Sequence, residues 1–436
     1  MNTFSLILRK TADSLRRNGI SGRILVGLSG GADSVALLCA LRAIRAPGSL
    51  DISAIYVNHG LRDRAAQEEV FCEKLCSDLD IPFVVKRVRV SSCGSTEAAA
   101  REARYQAFHE AMGELSANVL ALAHHADDQA ETMLLHLFYG TGGDGLGGMA
   151  EYRAGVWRPF LSQRRETLQA ALQALGQTWC EDESNADTLY SRNYLRACVL
   201  PAIEERYPQA VLAMERASAI LRDENDFLAR RSNDWLKENA SWGKWPFILT
   251  AALTNQHVAL QRRILRSYAA SKGIELAFFH VEELRRLIDC PAGAACNLPK
   301  GWHALKTKER IHFLDPDASG PKAEYTPEQL IVSKEKAGEN GRLTHAVPSE
   351  LVGNAVLRTR RPGDWIAPFG MSGRMKLKDY MIDRGMDRPF RADWPLLCIG
   401  SEVLWVIGVG ASERLRVNPM DSSIYVTFSG ALPDKL

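Results

Sequence analysis

Between Arg23 and Tyr139 the chain alternates strand-like and helix-like runs four times, and this alternation limits the possible folds more than any other feature. RILVGLS, DISAIYVNH from 51, PFVVKRVRV from 82 and ANVLALAHH from 117 are β-rich. VALLCALRAI, RAAQEEVFCEKLCSDL, TEAAAREARYQAFHEAMGEL and ADDQAETMLLHLFY follow them with helical character. Strands separated by helices of ten or more residues do not pair as hairpins; they build a parallel sheet covered on both faces. Such sheets bind ligands beyond the carboxyl ends of their strands, so chemistry is expected there.

The chain has 436 residues, 46% of them hydrophobic and 24% charged, which excludes wholesale disorder and supports roughly three domains. An N-terminal α/β domain, a doubly wound parallel sheet, is expected over 1–215. A helical domain is expected over 216–320, a Pro-, Gly-, Glu- and Lys-rich linker over 321–350, and a small α+β domain over 351–436. The nine cysteines include no C-x-x-C pair, which suits reduced thiols and neither a disulfide framework nor a zinc ribbon. Basic residues follow the apolar stretch at the N-terminus, the reverse of a secretory signal, and no apolar run approaches a bilayer span. A cytoplasmic protein without a membrane partner is expected, as a monomer or a homodimer.

The sharpest local signal is Ser29-Gly30-Gly31-Ala32-Asp33-Ser34, between the first strand and the first helix. Adjacent glycines let the backbone turn with its N–H groups inward, and the helix start adds positive potential, so the loop suits a phosphate. No lysine follows, as a Walker A loop would need, and G-x-G-x-x-G is missing.

Other clusters fall at strand ends. Asn58-His59-Gly60-Leu61-Arg62 ends the second strand, either beside a nucleoside or as a plain turn. Arg101 and Arg104 share a helix side with Glu97, as a functional or a merely solvated face. His124-His125-Ala126-Asp127-Asp128-Gln129-Ala130-Glu131 follows the fourth strand; Asp128 and Glu131 share one helix face and could hold a metal or an ammonium group. Zinc is disfavoured, because H-E-x-x-H is absent and adjacent histidines on a strand point to opposite faces.

Whole-chain net charge is only +2, but residues 358–391 hold nine basic against four acidic side chains, interleaved with Trp365, Phe369, Tyr380 and Phe390. The charge suits RNA; the rings could stack on bases or form a small core.

The hexamer resembles the SGGxDS loop of the PP-loop ATP pyrophosphatases, which cleave ATP between its α and β phosphates. Taken with NHGLR, AREARYQAF, HHADDQAET, RPFL at 158, EDESNADTLYSRNYLR at 181 and the R-x-G-D and KLKDY elements after Arg360, the chain resembles the tRNA(Ile)-lysidine synthase family along nearly its whole length. That resemblance implies a PP-loop, Rossmann-like fold and ATP-dependent attachment of free L-lysine to the wobble cytidine of the CAU-anticodon isoleucine tRNA, through an adenylated base. It implies that Ser29, Gly30, Gly31, Ala32, Asp33, Ser34 and His59 bind ATP, with Asp33 holding Mg²⁺. It implies that Asp128 and Glu131 bind lysine, that Arg104 and Arg192 act in catalysis, and that Arg196, Arg360, Arg361, Arg374, Lys376 and Lys378 bind tRNA. Arg196 could equally be a surface arginine paired with the acids at 181–183. The alternative of a tRNA thiolase of the same superfamily would call for a cysteine pair that this chain lacks.

Overall fold

Ile24, Leu25 and Val26 form the middle of β1 (Gly22–Gly27), buried on both faces as a central parallel strand must be. In the computed structural model the described residues are 3–45, 50–58, 65–88, 96–181, 191–243, 245–316, 325–334, 342–371, 373–417 and 423–433. The chain divides into two units, Met1–Phe227 and Leu228–Leu436.

In the first unit, α1 (Thr3–Arg17) precedes β1, and α2 (Ala32–Ile44), β2 (Leu50–Asn58), α3 (Ala65–Asp78) and β3 (Phe83–Arg87) follow it. Then come α4 (Thr96–Glu114), β4 (Val119–Ala121), α5 (Ala126–Phe138), a short α6 (Gly143–Leu146), β5 (Tyr152–Arg153), β6 (Val156–Trp157) and α7 (Arg165–Ala174). The sheet order is β3-β2-β1-β4-β6-β5, parallel except for β5. Alternate residues of β1 serve opposite cores: Ile24 and Val26 pack with α1, α2, α3 and α7, whereas Leu25 packs with Phe108 and Ala111 of α4. The expected doubly wound parallel sheet is present. Its order reverses between β1 and β4, which sets the loop after β1 beside the loop after β4. The β5–β6 hairpin has two residues per strand, too short to register as a β run, yet it anchors Trp157, whose buried Nε1–H donates to Ser14 Oγ at 2.9 Å.

The helices after α7 are α8 (Ser191–Tyr194) and α9 (Leu200–Arg206), joined by one π-helical turn over Leu195–Val199. Leu200 N–H reaches back to Leu195 O, and Pro201 has no N–H with which to continue the regular ladder. The helix α10 (Ala210–Asn239) carries the chain into the second unit.

The second unit holds the expected helices, α11 (Thr250–Thr254), α12 (Val258–Ala270) and α13 (Phe278–Leu287). It also holds an antiparallel sheet that the helical reading of 216–320 omitted. This sheet comprises β7 (Ala240–Ser241), β8 (Phe247–Leu249), β9 (Ala295–Asn297), β10 (His303–Lys306) and β11 (Arg310–Leu314), in the order β7-β8-β11-β10-β9. The stretch 321–350, read as a linker, contributes β12 (Leu330–Ser333) and β13 (Thr344–Pro348). Both pair with the last strand of the chain, so an apolar triplet such as Leu330-Ile331-Val332 finds its partner some hundred residues on. After α14 (Ser349–Val352) come β14 (Val356–Arg358), β15 (Trp365–Ile366), β16 (Met375–Lys376), α15 (Leu377–Asp383), β17 (Leu396–Ile399), β18 (Glu402–Val406), β19 (Gly410–Ala411) and β20 (Ser423–Phe428). The expected α+β character of the C-terminal region is borne out. Among the described residues no helix is long and apolar enough to cross a membrane.

Candidate active site

The reversal between β1 and β4 brings two helix starts together. At the first, Gly30 adopts φ +81°, a conformation glycine takes without penalty, and the turn is tied internally. Ser29 N–H donates to Ser34 Oγ at 3.1 Å, and that hydroxyl donates to Gly31 O at 3.0 Å. Cys180 N–H donates to Gly30 O at 2.9 Å, pinning the loop from outside. Gly31, the N-cap of α2, makes no side-chain cap bond, so the first-turn amides of α2, among them those of buried Ala32 and of Asp33, keep their capacity for an anion.

At the second start, His125 caps α5 and its main-chain N–H donates to Asp128 Oδ2 at 3.0 Å. The buried ring meets carboxylates on both nitrogens: Nδ1 lies 3.3 Å from Asp127 Oδ2, and Nε2 lies 3.5 Å from Asp33 Oδ2 and 3.4 Å from Asp128 Oδ2. Burial alone would lower its pKa, but Asp128, Asp127 and Asp33 together raise it to about 10, so the ring is a cation. A doubly protonated ring uses Nδ1–H toward Asp127. Its 3.4 Å approach to the Asp128 N–H is then a contact and not an acceptor bond. The neighbouring His124 points the other way. Burial pushes its pKa down to about 4, with Arg158 and Arg101 adding to the effect against Asp128, and its Nδ1 accepts from Arg158 Nε at 3.3 Å.

Asp127 is fixed by Arg164 Nε at 3.0 Å and by the Arg165 main-chain N–H at 2.9 Å. Despite its burial, these donors and His125 hold it below the usual carboxylate range. Asp128 and Glu131 share a partner. Arg196 donates from Nε to Glu131 Oε1 at 2.7 Å, and from Nη2 to Glu131 Oε2 at 3.2 Å and to Asp128 Oδ1 at 3.1 Å. Burial pushes the Asp128 carboxyl upward, but the His125 cation, its main-chain N–H and Arg196 outweigh it and the net direction is down. For Glu131, which is fully buried, burial wins over Arg196 and the direction is up. Two acids on one helix face therefore differ in proton affinity.

Of the sequence-expected residues, Ser29 to Ser34, Asp128 and Glu131 come together in this one site. Arg192 is half-buried in α8 and its charge acts on Glu131. Arg104 is exposed on α4. His59 lies outside the described residues. Arg196, expected to face tRNA, is placed in this site with its guanidinium on the two acids. The sequence reading missed His125 as the hub, and Arg164 and Arg165 as its outer support. The only hint was that His125 begins a helix whose next two polar residues are acidic.

In the C-terminal region the basic cluster splits. Arg358 forms a bidentate buried pair with Asp364, at 2.8 and 2.9 Å, and so is structural. Arg361, Arg374, Lys376 and Lys378 are exposed, and Arg360 is half-buried. Tyr380 and Phe390 are core residues, whereas Phe369 is exposed and the half-buried Trp365 lies under Arg374, 5.6 Å from the guanidinium carbon.

A phosphate loop without lysine at the switch point of a parallel sheet defines a class, and a model of the PP-loop domain matches residues 6–203. A model of the TilS substrate C-terminal domain matches residues 355–427. The tRNA(Ile)-lysidine synthase of Caldanaerobacter subterraneus subsp. tengcongensis is 31% identical over 435 residues, covering 93% of this chain and 93% of that protein. The Chromobacterium violaceum protein of the same name is 34% identical over 417 residues, covering 89% and 92%. The chain belongs to the tRNA(Ile)-lysidine synthase family.

Proposed function

We propose that this protein is a carbon–nitrogen ligase that joins the ε-amine of free L-lysine to C2 of the wobble cytidine of the CAU-anticodon isoleucine tRNA, converting ATP to AMP and diphosphate. The observation that carries this reading is the shared histidine. Asp33 on the phosphate loop and Asp128 on α5 both face His125 Nε2, so an anion cradle and a pair of carboxylates for a cation form one site. The name borne by the relatives supports it.

Cytosine O2 is a poor leaving group and must first be esterified. O2 attacks the α-phosphorus of ATP; the new O–P bond forms as the α–β bridge breaks, and diphosphate departs against the amides of the loop and the start of α2. The lysine amine then attacks C2, the C–N bond forms, the C–O bond breaks and AMP leaves. Lysine arrives as an ammonium ion and must react as an amine. Asp128, kept ionised, holds the ammonium, and Glu131, whose buried carboxyl has the higher proton affinity, accepts the proton. Arg104 and Arg192 steady the adenylated base, and the exposed cations between Arg360 and Lys378 bind tRNA phosphates.

Asp33 Oδ1 is buried and has no hydrogen-bond partner among the described residues, which fits a hard cation. Asp33 would hold Mg²⁺, which when bound offsets the charge of the departing diphosphate. Among the described residues no group of three His, Cys, Asp or Glu is arranged to hold a metal, so Asp33 would share the ion with ATP oxygens and water.

Incubation with ATP, labelled lysine and total tRNA tests the reading. Label should enter RNA only when all three are present, with AMP and diphosphate as products. Release of ADP and orthophosphate overturns it.

A further inference from the structure

The site that must bind an ammonium ion already contains a guanidinium. Arg196 spans Glu131 and Asp128 through three hydrogen bonds of 2.7 to 3.2 Å, so an ammonium ion on the same oxygens would have to share them with a cation already in place. Yet the arginine is not locked into a core: its side chain keeps 29% of its exposure while Glu131 has none. It rises from the π-helical turn at Leu195–Val199, where the backbone ladder shifts register, Leu200 N–H reaching Leu195 O. Its charge also reaches Asp33, on the loop that cradles phosphate. A guanidinium pairs with phosphate in the same forked geometry as with carboxylate.

We propose that Arg196 is an exchangeable counter-ion, neutralising Glu131 and Asp128 in the ligand-free protein and moving to a substrate phosphate so that the two carboxylates are released for lysine. The inference rests on the reading of Asp128 and Glu131 as the lysine site. Charge is conserved in the exchange: one cation leaves the acids, another takes its place, and the departing one meets an anion. Lysine affinity is thereby tied to phosphate occupancy, because a ligand whose competent state is rarely populated binds weakly until that state is favoured. The phosphate belongs either to ATP or to tRNA, and Arg196 is a positioning residue that makes lysine binding depend on it.

Calorimetric titration of lysine into the whole protein tests this, alone, with a non-hydrolysable ATP analogue and Mg²⁺, and with tRNA. The lysine Kd should fall about tenfold or more in one ligand arm, and that arm names the source of the phosphate. Arg196→Gln should bind lysine tightly without any phosphate ligand and show no further gain. A wild-type Kd indifferent to both ligands, or weaker lysine binding by Arg196→Gln than by wild type, overturns the exchange. Should that variant fail to fold, Arg196→Lys decides. Its ammonium grips the two acids less well, so lysine should bind more tightly than to wild type; an equal or weaker Kd overturns the inference. Asp128→Asn separates the two layers. Unchanged lysine binding there removes the lysine site itself, whereas lost binding there together with weakened binding in Arg196→Gln removes only the exchange.

Discussion

At the scale of single residues, the site works by giving chemically similar groups different charges. His124 and His125 are neighbours, yet one faces Arg158 and is neutral while the other faces three carboxylates and is a cation. Asp128 and Glu131 differ in the same way, and Asp128→Asn separates them: lysine incorporation should fall by about 10²-fold or more while tRNA binding persists, as a labelled-lysine assay beside a filter-binding assay will report. The choice of Asp128, Glu131 and Asp33 was legible in the sequence, because acids at a strand end and a helix start fall where such sheets bind ligands. The pairing of Arg196 with those acids was not, since 65 positions separate it from Glu131 and no local pattern encodes that contact. A second residue-scale outcome concerns Asp387, whose Oδ2 lies 3.1 Å from His312 Nε2 and 3.4 Å from Arg310 Nη1. Burial pushes its carboxyl up, but His312 and Arg310 outweigh that and hold it low. The stabilisation is therefore complete above the unfolded carboxyl pKa near 4 and is lost as pH falls below it. Asp387→Asn should cost about 2 kcal/mol at neutral pH, and its deficit against wild type in denaturant unfolding should vanish on acidification.

Among elements, the loop between β1 and α2 is the least tolerant of change. A Cβ at Gly30 would meet Cys180 Sγ and Cys72 Sγ at 3.5 Å, ordinary contacts, so the strain of Gly30→Ala arises from φ +81° and amounts to about 1 to 2 kcal/mol. The loop would distort to relieve it. ATP KM measured by tRNA-dependent ATP–diphosphate exchange should rise several-fold, with a lower melting temperature. The parallel sheet was legible because each of its first four strands is followed by a helix long enough to show its own period. The five-stranded sheet of the second unit was not: β7 and β9 have two and three residues, and helical runs such as HVALQRRILRSYAAS dominate the pattern between them. The same holds for β12 and β13, whose partner β20 is close to the other end of the C-terminal region. Strand pairing over long sequence separation leaves no local signal to read.

For the molecule as a whole, the expected tRNA footprint rests on charge that remains exposed once internal pairs are discounted. Arg358 is spent on Asp364, whereas Arg374, Lys376 and Lys378 face solvent. Replacing these three by alanine should weaken tRNA binding and lower the log–log salt slope by roughly 0.7 to 0.9 for each phosphate that is no longer neutralised, as titration between about 50 and 200 mM salt would measure. An unchanged slope would place the RNA elsewhere. The reversal of strand order between β1 and β4 has a pharmacological corollary. It sets an oxyanion-receptive turn and the Asp128 carboxylate against a single imidazole, so on the proposed reading of the site a molecule joining a phosphonate to a primary amine would engage both halves at once. Such a bisubstrate inhibitor would gain from the tether what two separate fragments forfeit in entropy.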